Sequence, residues 1–194
     1  MFQVVTKILL IFFGLKYKMH KNLKIIKDDV QNINSNIFKK IDCVVDLVAI
    51  ANDVTGDYFK NQTIKTNYLS RVRTARLAKK NGVKQYILPS SASVYGFKPN
   101  NILVSENTKP TPLTHYSKNN LNAEKKILEL SSSKFHVNIM RQGTIFGYSP
   151  RLRLDLVINN FVFTYLNKGS INILRDGNQM RPFLHIKDTS RFIE

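Results

Sequence analysis

The chain has 194 residues, 43% of them hydrophobic and 10% aromatic, with 30 lysines and arginines against 13 acids for a net charge of +17. That size and apolar content suit a soluble α/β domain with a substantial core, and the single Cys43 excludes an intrachain disulfide and fits a reducing compartment. The basic residues are spread along the chain instead of gathered, which argues against a nucleic-acid partner. His20, His115, His136 and His185 show no metal-ligand spacing, so no metal is expected.

Residues 4–13 are apolar but much shorter than the roughly 20 residues of a membrane span, and no small-residue cleavage site follows. They read as a strand, with no membrane partner and a cytoplasmic setting. Further strand-length apolar runs fall at residues 23–26, 43–50, 85–88 and 137–140, and they alternate with helix-period segments. Alternation of this kind predicts βα repeats around a parallel sheet. Residues 43–50 are almost continuously apolar, as a central strand covered on both faces should be.

Between the third and fourth runs, Ile64, Tyr68, Val72 and Ala75 line one helical face. The helix is expected to stop at Lys79, Lys80, Asn81 and Gly82, where cations and a glycine suit a C-terminus. A Pro- and Asn-rich loop then leads to a helix over about residues 114–130. Beyond Met140 the chain turns through Gly143 and Gly147, with a helix expected at 155–166 and a short strand at 171–174. The last residues, Arg191 to Glu194, read as the middle of a helix. Residues 1–150 and 151–194 are expected to form two regions.

Two short runs carry the chemistry: Ser90-Ser91-Ala92-Ser93-Val94-Tyr95-Gly96 at a strand end, and His115-Tyr116-Ser117-Lys118-Asn119-Asn120 on the first turns of a helix. With them come Arg141 and Gly147, and a stretch from Asp176 through Arg181, Pro182 and His185 to Asp188. In this order, the motifs resemble the extended short-chain dehydrogenase/reductase superfamily, in particular the NAD-dependent epimerase/dehydratase family acting on nucleotide sugars. The resemblance implies a doubly wound, Rossmann-like parallel sheet that binds NAD at the carboxyl ends of its strands.

By that resemblance Tyr116 exchanges a proton with a sugar hydroxyl and Ser91 hydrogen-bonds the same oxygen. The plain alternative is a half-buried tyrosine making a local cap. Ser93 lines the pocket or serves only as a strand-end turn former. Asn120 stands where the family has a lysine, whose charge stabilises tyrosinate and whose ammonium holds the nicotinamide ribose. Lys118 is two residues from Tyr116, on another side of the helix, and is no easy substitute.

The resemblance also assigns cofactor contacts to Asp29 and Val30 at a strand end, to the strand residues Leu47, Val48 and Ala49, and to Asn67, which could equally face solvent. Asp28 replaces the usual glycine before the acid. Asn159 and Arg181 resemble residues that engage the nucleotide diphosphate, a role that suits arginine's planar donor fork; a surface ion pair is the alternative for Arg181. His185 and Asp188 look structural. No Gly-x-x-Gly-x-x-Gly turn occurs in the sequence, so by the resemblance about 30 residues of an opening βα unit are expected to be missing, and NAD binding is expected to be weakened or lost.

The family's 4,6-dehydratases carry an Asp-Glu pair after the strand-end hydroxyl, where this chain has Ala92-Ser93. The reading is therefore closest to a UDP-glucose 4-epimerase-like protein with NAD and a nucleotide-sugar substrate, compatible with a homodimer. The competing reading is a truncated, inactive homologue serving as a binding module or non-functional fragment, suggested by the missing glycine loop, by Asn120 and by the apparent stop inside a helix.

Overall fold

The first strand, β1 (Cys43–Val45), is followed by α1 (Asp53–Tyr58) and α2 (Lys60–Thr63) in a computed structural model that describes residues 24, 26–99, 102–173 and 176–194. A π-helical stretch, Ile64–Ser70, then joins α2 to α3 (Arg71–Lys80). The predicted apolar face is the buried one: Val72 and Ala75 are buried and Tyr68 packs against the same core. Asn81 ends the helix and Gly82 takes φ +82°, as the glycine signal predicted.

β2 (Gln85–Ser91) runs parallel to β1, with Cys43 opposite Gln85 and Val45 opposite Ile87. α4 (His115–Leu128) follows, and β3 (His136–Gln142) completes a sheet of order β1-β2-β3. Tyr86, Leu88, Ile127 and Phe135 form the centre of the core, between β2, α4 and the approach to β3. Burying side chains of this size supplies the main drive for folding, roughly 1.5–3 kcal/mol each.

β4 (Thr144–Phe146), α5 (Val157–Lys168), β5 (Phe183–His185) and α6 (Ile186–Ile193) make up the remaining elements. The chain divides into two compact units: one runs up to Phe97 and takes in Thr108–Arg141, and the other holds Lys98–Asn107 and Gln142–Glu194. In the second, β4 and β5 pair in parallel, with Thr144 opposite Phe183. His185 caps α6 through Nδ1, which accepts from Lys187 N at 3.3 Å, and its ring lies 5.2 Å from that of Phe146. This is the structural role expected of it.

Several expectations need correction. The run 43–50 does not form one continuous strand: β1 ends at Val45. Asp46 is the cause. Its backbone N–H still donates to Ile87 O at 2.9 Å, but its carboxylate accepts from Val48 N at 3.2 Å and turns the backbone out of the ladder. Residues 171–173 form no strand, and neither Lys24 nor Ile26 lies in one. Residues 144–146 are a strand and not part of a glycine turn. The strand expected at 4–13 lies outside the described residues, as do Leu23, Ile25 and Leu174.

Candidate active site

Because β1 and β2 are parallel, their carboxyl ends open on the same side, and the loop after Val45 and the turn after Ser91 emerge there together. Ser91 closes β2 and caps a 3-10 turn, Ala92–Tyr95, its Oγ accepting from Ser93 N at 3.2 Å. The Ser93 hydroxyl is buried without a partner. Gly96 then takes φ +69° with Thr111 against it; a β-carbon there would lie 2.0 Å from Thr111 O. No other residue fits that turn.

A buried polar network pins this turn to α4. The Ser90 hydroxyl donates to Glu124 Oε1, while Arg141 donates to Glu124 Oε2 through Nε at 2.9 Å and Nη2 at 2.7 Å. Arg141 Nη1 also donates to the Tyr95 hydroxyl at 3.0 Å. Burial pushes the Arg141 guanidinium's proton affinity down, but Glu124 and Tyr95 outweigh it and leave it raised. Leu121 packs with Val94 and Tyr95 on the same side.

The start of α4 is equally well fixed. Thr114 and Ser117 form a reciprocal capping box, and α1 adds two carboxylates: Asp53 Oδ1 accepts from the Thr114 hydroxyl at 2.5 Å and Asp57 Oδ1 from His115 N at 2.7 Å. Tyr116 is the second residue of α4 and is half-buried. One turn on, Asn120 is 1% exposed; its Oδ1 accepts from Arg71 Nη1 at 2.7 Å and its Nδ2 has no partner. Lys118 is exposed.

Asn67 does not face solvent. It is fully buried on the π-helical stretch, where Oδ1 accepts from Ile50 N at 2.8 Å and Nδ2 donates to Ile50 O at 3.0 Å. It thereby fixes the loop containing Leu47, Val48 and Ala49, whose Val48 carbonyl accepts from Arg71 Nε at 3.0 Å. Asp29 caps a short turn, Val30–Asn32, its Oδ1 accepting from Gln31 N at 2.9 Å. In the second unit, Asn159 accepts from Gly147 N at 3.2 Å and donates to Arg153 O at 3.1 Å, and Arg181 is exposed with Gln179 Oε1 at 3.5 Å.

The residues that sequence reasoning missed are Arg71, Gly56, Asp46 and Glu124. Arg71 had a readable signal, since a cation three residues after Tyr68 and four before Ala75 lies on the helix face predicted to be buried. Behind it, the Tyr86 hydroxyl donates to Asp46 Oδ2 at 2.5 Å. Burial first, then the Asp46 charge and hydrogen bond, push the Tyr86 phenol well above its ordinary range, with Arg71 opposing.

A strand-end hydroxyl turn, a helix bearing a tyrosine near its start, and loops at the carboxyl ends of parallel strands define a Rossmann-like α/β protein. The model of the NAD dependent epimerase/dehydratase family matches residues 16–193, and the chain belongs to that family. It is 27% identical over 185 residues to an uncharacterized UDP-glucose epimerase of Bacillus subtilis, covering 91% of this chain and 57% of that protein. It is 30% identical over 186 residues to the UDP-glucuronate 4-epimerase of Thermodesulfobacterium geofontis, covering 90% and 54%. The UDP-glucuronic acid 4-epimerase of Bacillus cereus, solved with UDP-glucuronic acid and NAD, matches with a TM-score of 0.78 and 27% identity over 89% of this chain and 55% of that one. The chain thus spans about half the length of these relatives.

Among the described residues no helix is long and apolar enough to cross a membrane, and no cluster of ligating side chains could hold a metal.

Proposed function

We propose that this chain carries the proton-transfer site of an NAD-dependent nucleotide-sugar epimerase acting at a sugar hydroxyl, most like a 4-epimerase. Tyr116 takes and returns the hydroxyl proton, and Ser91 holds the same oxygen through its hydrogen. NAD, when bound, supplies the hydride acceptor. The observation that carries this reading is the attachment of the Ser91 turn to α4 through Ser90, Glu124 and Arg141, which holds the two proton-handling groups on one rigid frame.

The site's chemistry fits such a cofactor and substrate. Asn120 Nδ2 and Ser93 Oγ are buried donors without partners, and buried donors need acceptors. Ribose and sugar hydroxyl oxygens are acceptors of the right kind. Leu47, Val48, Ala49 and Asn67 would hold the nicotinamide end through a loop already fixed in place, and Asp29 and Val30 the adenine end. Within this reading residues 1–150 serve the cofactor. Residues 151–194, with Asn159 and Arg181, serve the nucleotide diphosphate, in a cytoplasmic protein that pairs as a homodimer.

Calorimetric titration with NAD and with UDP-glucose or UDP-glucuronate tests the proposal. Saturable heat for both, with turnover lost and binding kept in Tyr116→Phe, is the expected result; no saturable heat for either ligand overturns it.

A further inference from the structure

Arg71 is 2% exposed, yet no carboxylate among the described residues pairs with it. Its guanidinium donates to two neutral oxygens, Val48 O and Asn120 Oδ1. The acid behind it, Asp46, is occupied by the Tyr86 hydroxyl and by Val48 N. Arginine keeps its proton in any protein interior, so a positive charge is fixed beside Asn120. A buried charge is costly unless it is well paired or hydrogen-bonded, and the direct contacts of this one are neutral oxygens, with the Asp46 carboxylate held behind by other donors.

Asn120 explains how that charge is used. Arg71 fixes the orientation of the side-chain amide, because the flipped amide would set N–H against N–H. With Oδ1 committed, Nδ2 is the free end, and it is buried and unpartnered one helical turn from Tyr116. A cation that polarises an amide makes its N–H groups stronger donors.

We infer that Arg71 and Asn120 form a two-residue donor site for a hydroxyl oxygen of the bound nicotinamide nucleotide, Asn120 making the contact through Nδ2 and Arg71 orienting and charging it. The inference rests on the proposed function. It gives the position where the family resemblance places a lysine a charge from another helix. Arg71 is a positioning residue here.

Asn120→Asp separates this role from a merely structural one. The isosteric carboxylate pairs with Arg71, so the fold is kept, but both donors are gone and the charge is neutralised. The thermal midpoint is expected to hold or rise while calorimetric NAD affinity falls about tenfold or more; affinity within about twofold of wild type overturns the inference. Asn120→Lys alone is expected to lower the thermal midpoint and to weaken NAD binding, since it sets two buried cations together. Adding Arg71→Met to Asn120→Lys is expected to recover both. Tighter NAD binding by Asn120→Lys alone with no loss of midpoint overturns the inference. Wild type that binds NAD no better than Asn120→Asp overturns the inference and leaves the proposed function standing. No NAD heat in wild type or in the double variant overturns both.

Discussion

Gly56 lies directly against Tyr116: a β-carbon on Gly56 would stand 3.0 Å from Tyr116 Cβ and 3.4 Å from its backbone nitrogen. The glycine lets α1 approach the first turn of α4, where Asp53 and Asp57 make their contacts. In Gly56→Ala the helix gains about 1 kcal/mol of propensity, offset by pushing Tyr116 back by a few tenths of an ångström. The thermal midpoint should change little, while under the proposed function epimerisation falls about tenfold because proton transfer depends on placement. Parallel melting curves and a coupled assay check this. Unchanged turnover would show that the contact does not set the tyrosine's position.

Glu124 is the hub between Ser90 and Arg141, and its side chain is 1% exposed. Glu124→Gln keeps a partner for Ser90 but removes the carboxylate charge that faces Arg141. Removing one member of a fully buried pair costs about 3–5 kcal/mol; here about 2–3 kcal/mol is expected, because Arg141 keeps 20% of its side-chain surface in water. Urea denaturation measures it. A loss below about 1 kcal/mol would mean that the pair contributes no more than a surface one.

Asp42 and Lys84 pair at 2.9 Å at the entrance to β1 and β2. The Lys84 hydrogen bond and charge hold the Asp42 carboxyl below its ordinary range, and Asp42 in turn holds the Lys84 ammonium above its own. The signs follow from linkage. The Asp42 contribution is complete above the unfolded carboxylate value of about 3.9 and is lost as pH falls through the folded value. The Lys84 contribution is complete below about 10.4 and is lost as pH rises through the folded value. Both groups are exposed, so the effect on the melting temperature should be small and should vanish in about 1 M salt. Calorimetric melts in low salt in which Asp42→Asn matches wild type at neutral pH as well as at both pH extremes would refute it.

Cys43 is half-buried in β1, and burial, followed by the charge of Asp42, pushes its thiol up. At neutral pH it is the unreactive thiol and not the thiolate. Its reaction with a disulfide reagent should be at least about tenfold slower in the native protein than in urea. Equal rates would place the thiol in open contact with solvent.

The periodic helix face through Tyr68, Val72 and Ala75 was legible because three turns of one pattern leave few alternatives, and β2 and β3 stood out as compact apolar runs. β1 was overread: Asp46 sits among apolar residues, and nothing local shows that its carboxylate will draw Val48 N out of the ladder. β4 and β5 have three residues each, too few for an alternating pattern, and they stabilise each other only across a long stretch of chain. Of the proposed site, the places of Ser91 at the end of β2 and of Tyr116 near the start of α4 were readable from residue type and order. Asn120 could be read only as a missing lysine, because the side chain that it bonds, Arg71, comes from a different helix.

Asn67 holds both peptide groups of Ile50, in a segment that belongs to no strand or helix. The Ile50 amide should therefore exchange its hydrogen slowly, on the timescale of the core and not of a surface connection. Regular secondary structure and rigidity part company there. An irregular backbone held this firmly keeps its curvature whether or not anything is bound, so a ligand meeting the loop would find its shape already set and would lose little entropy in ordering it.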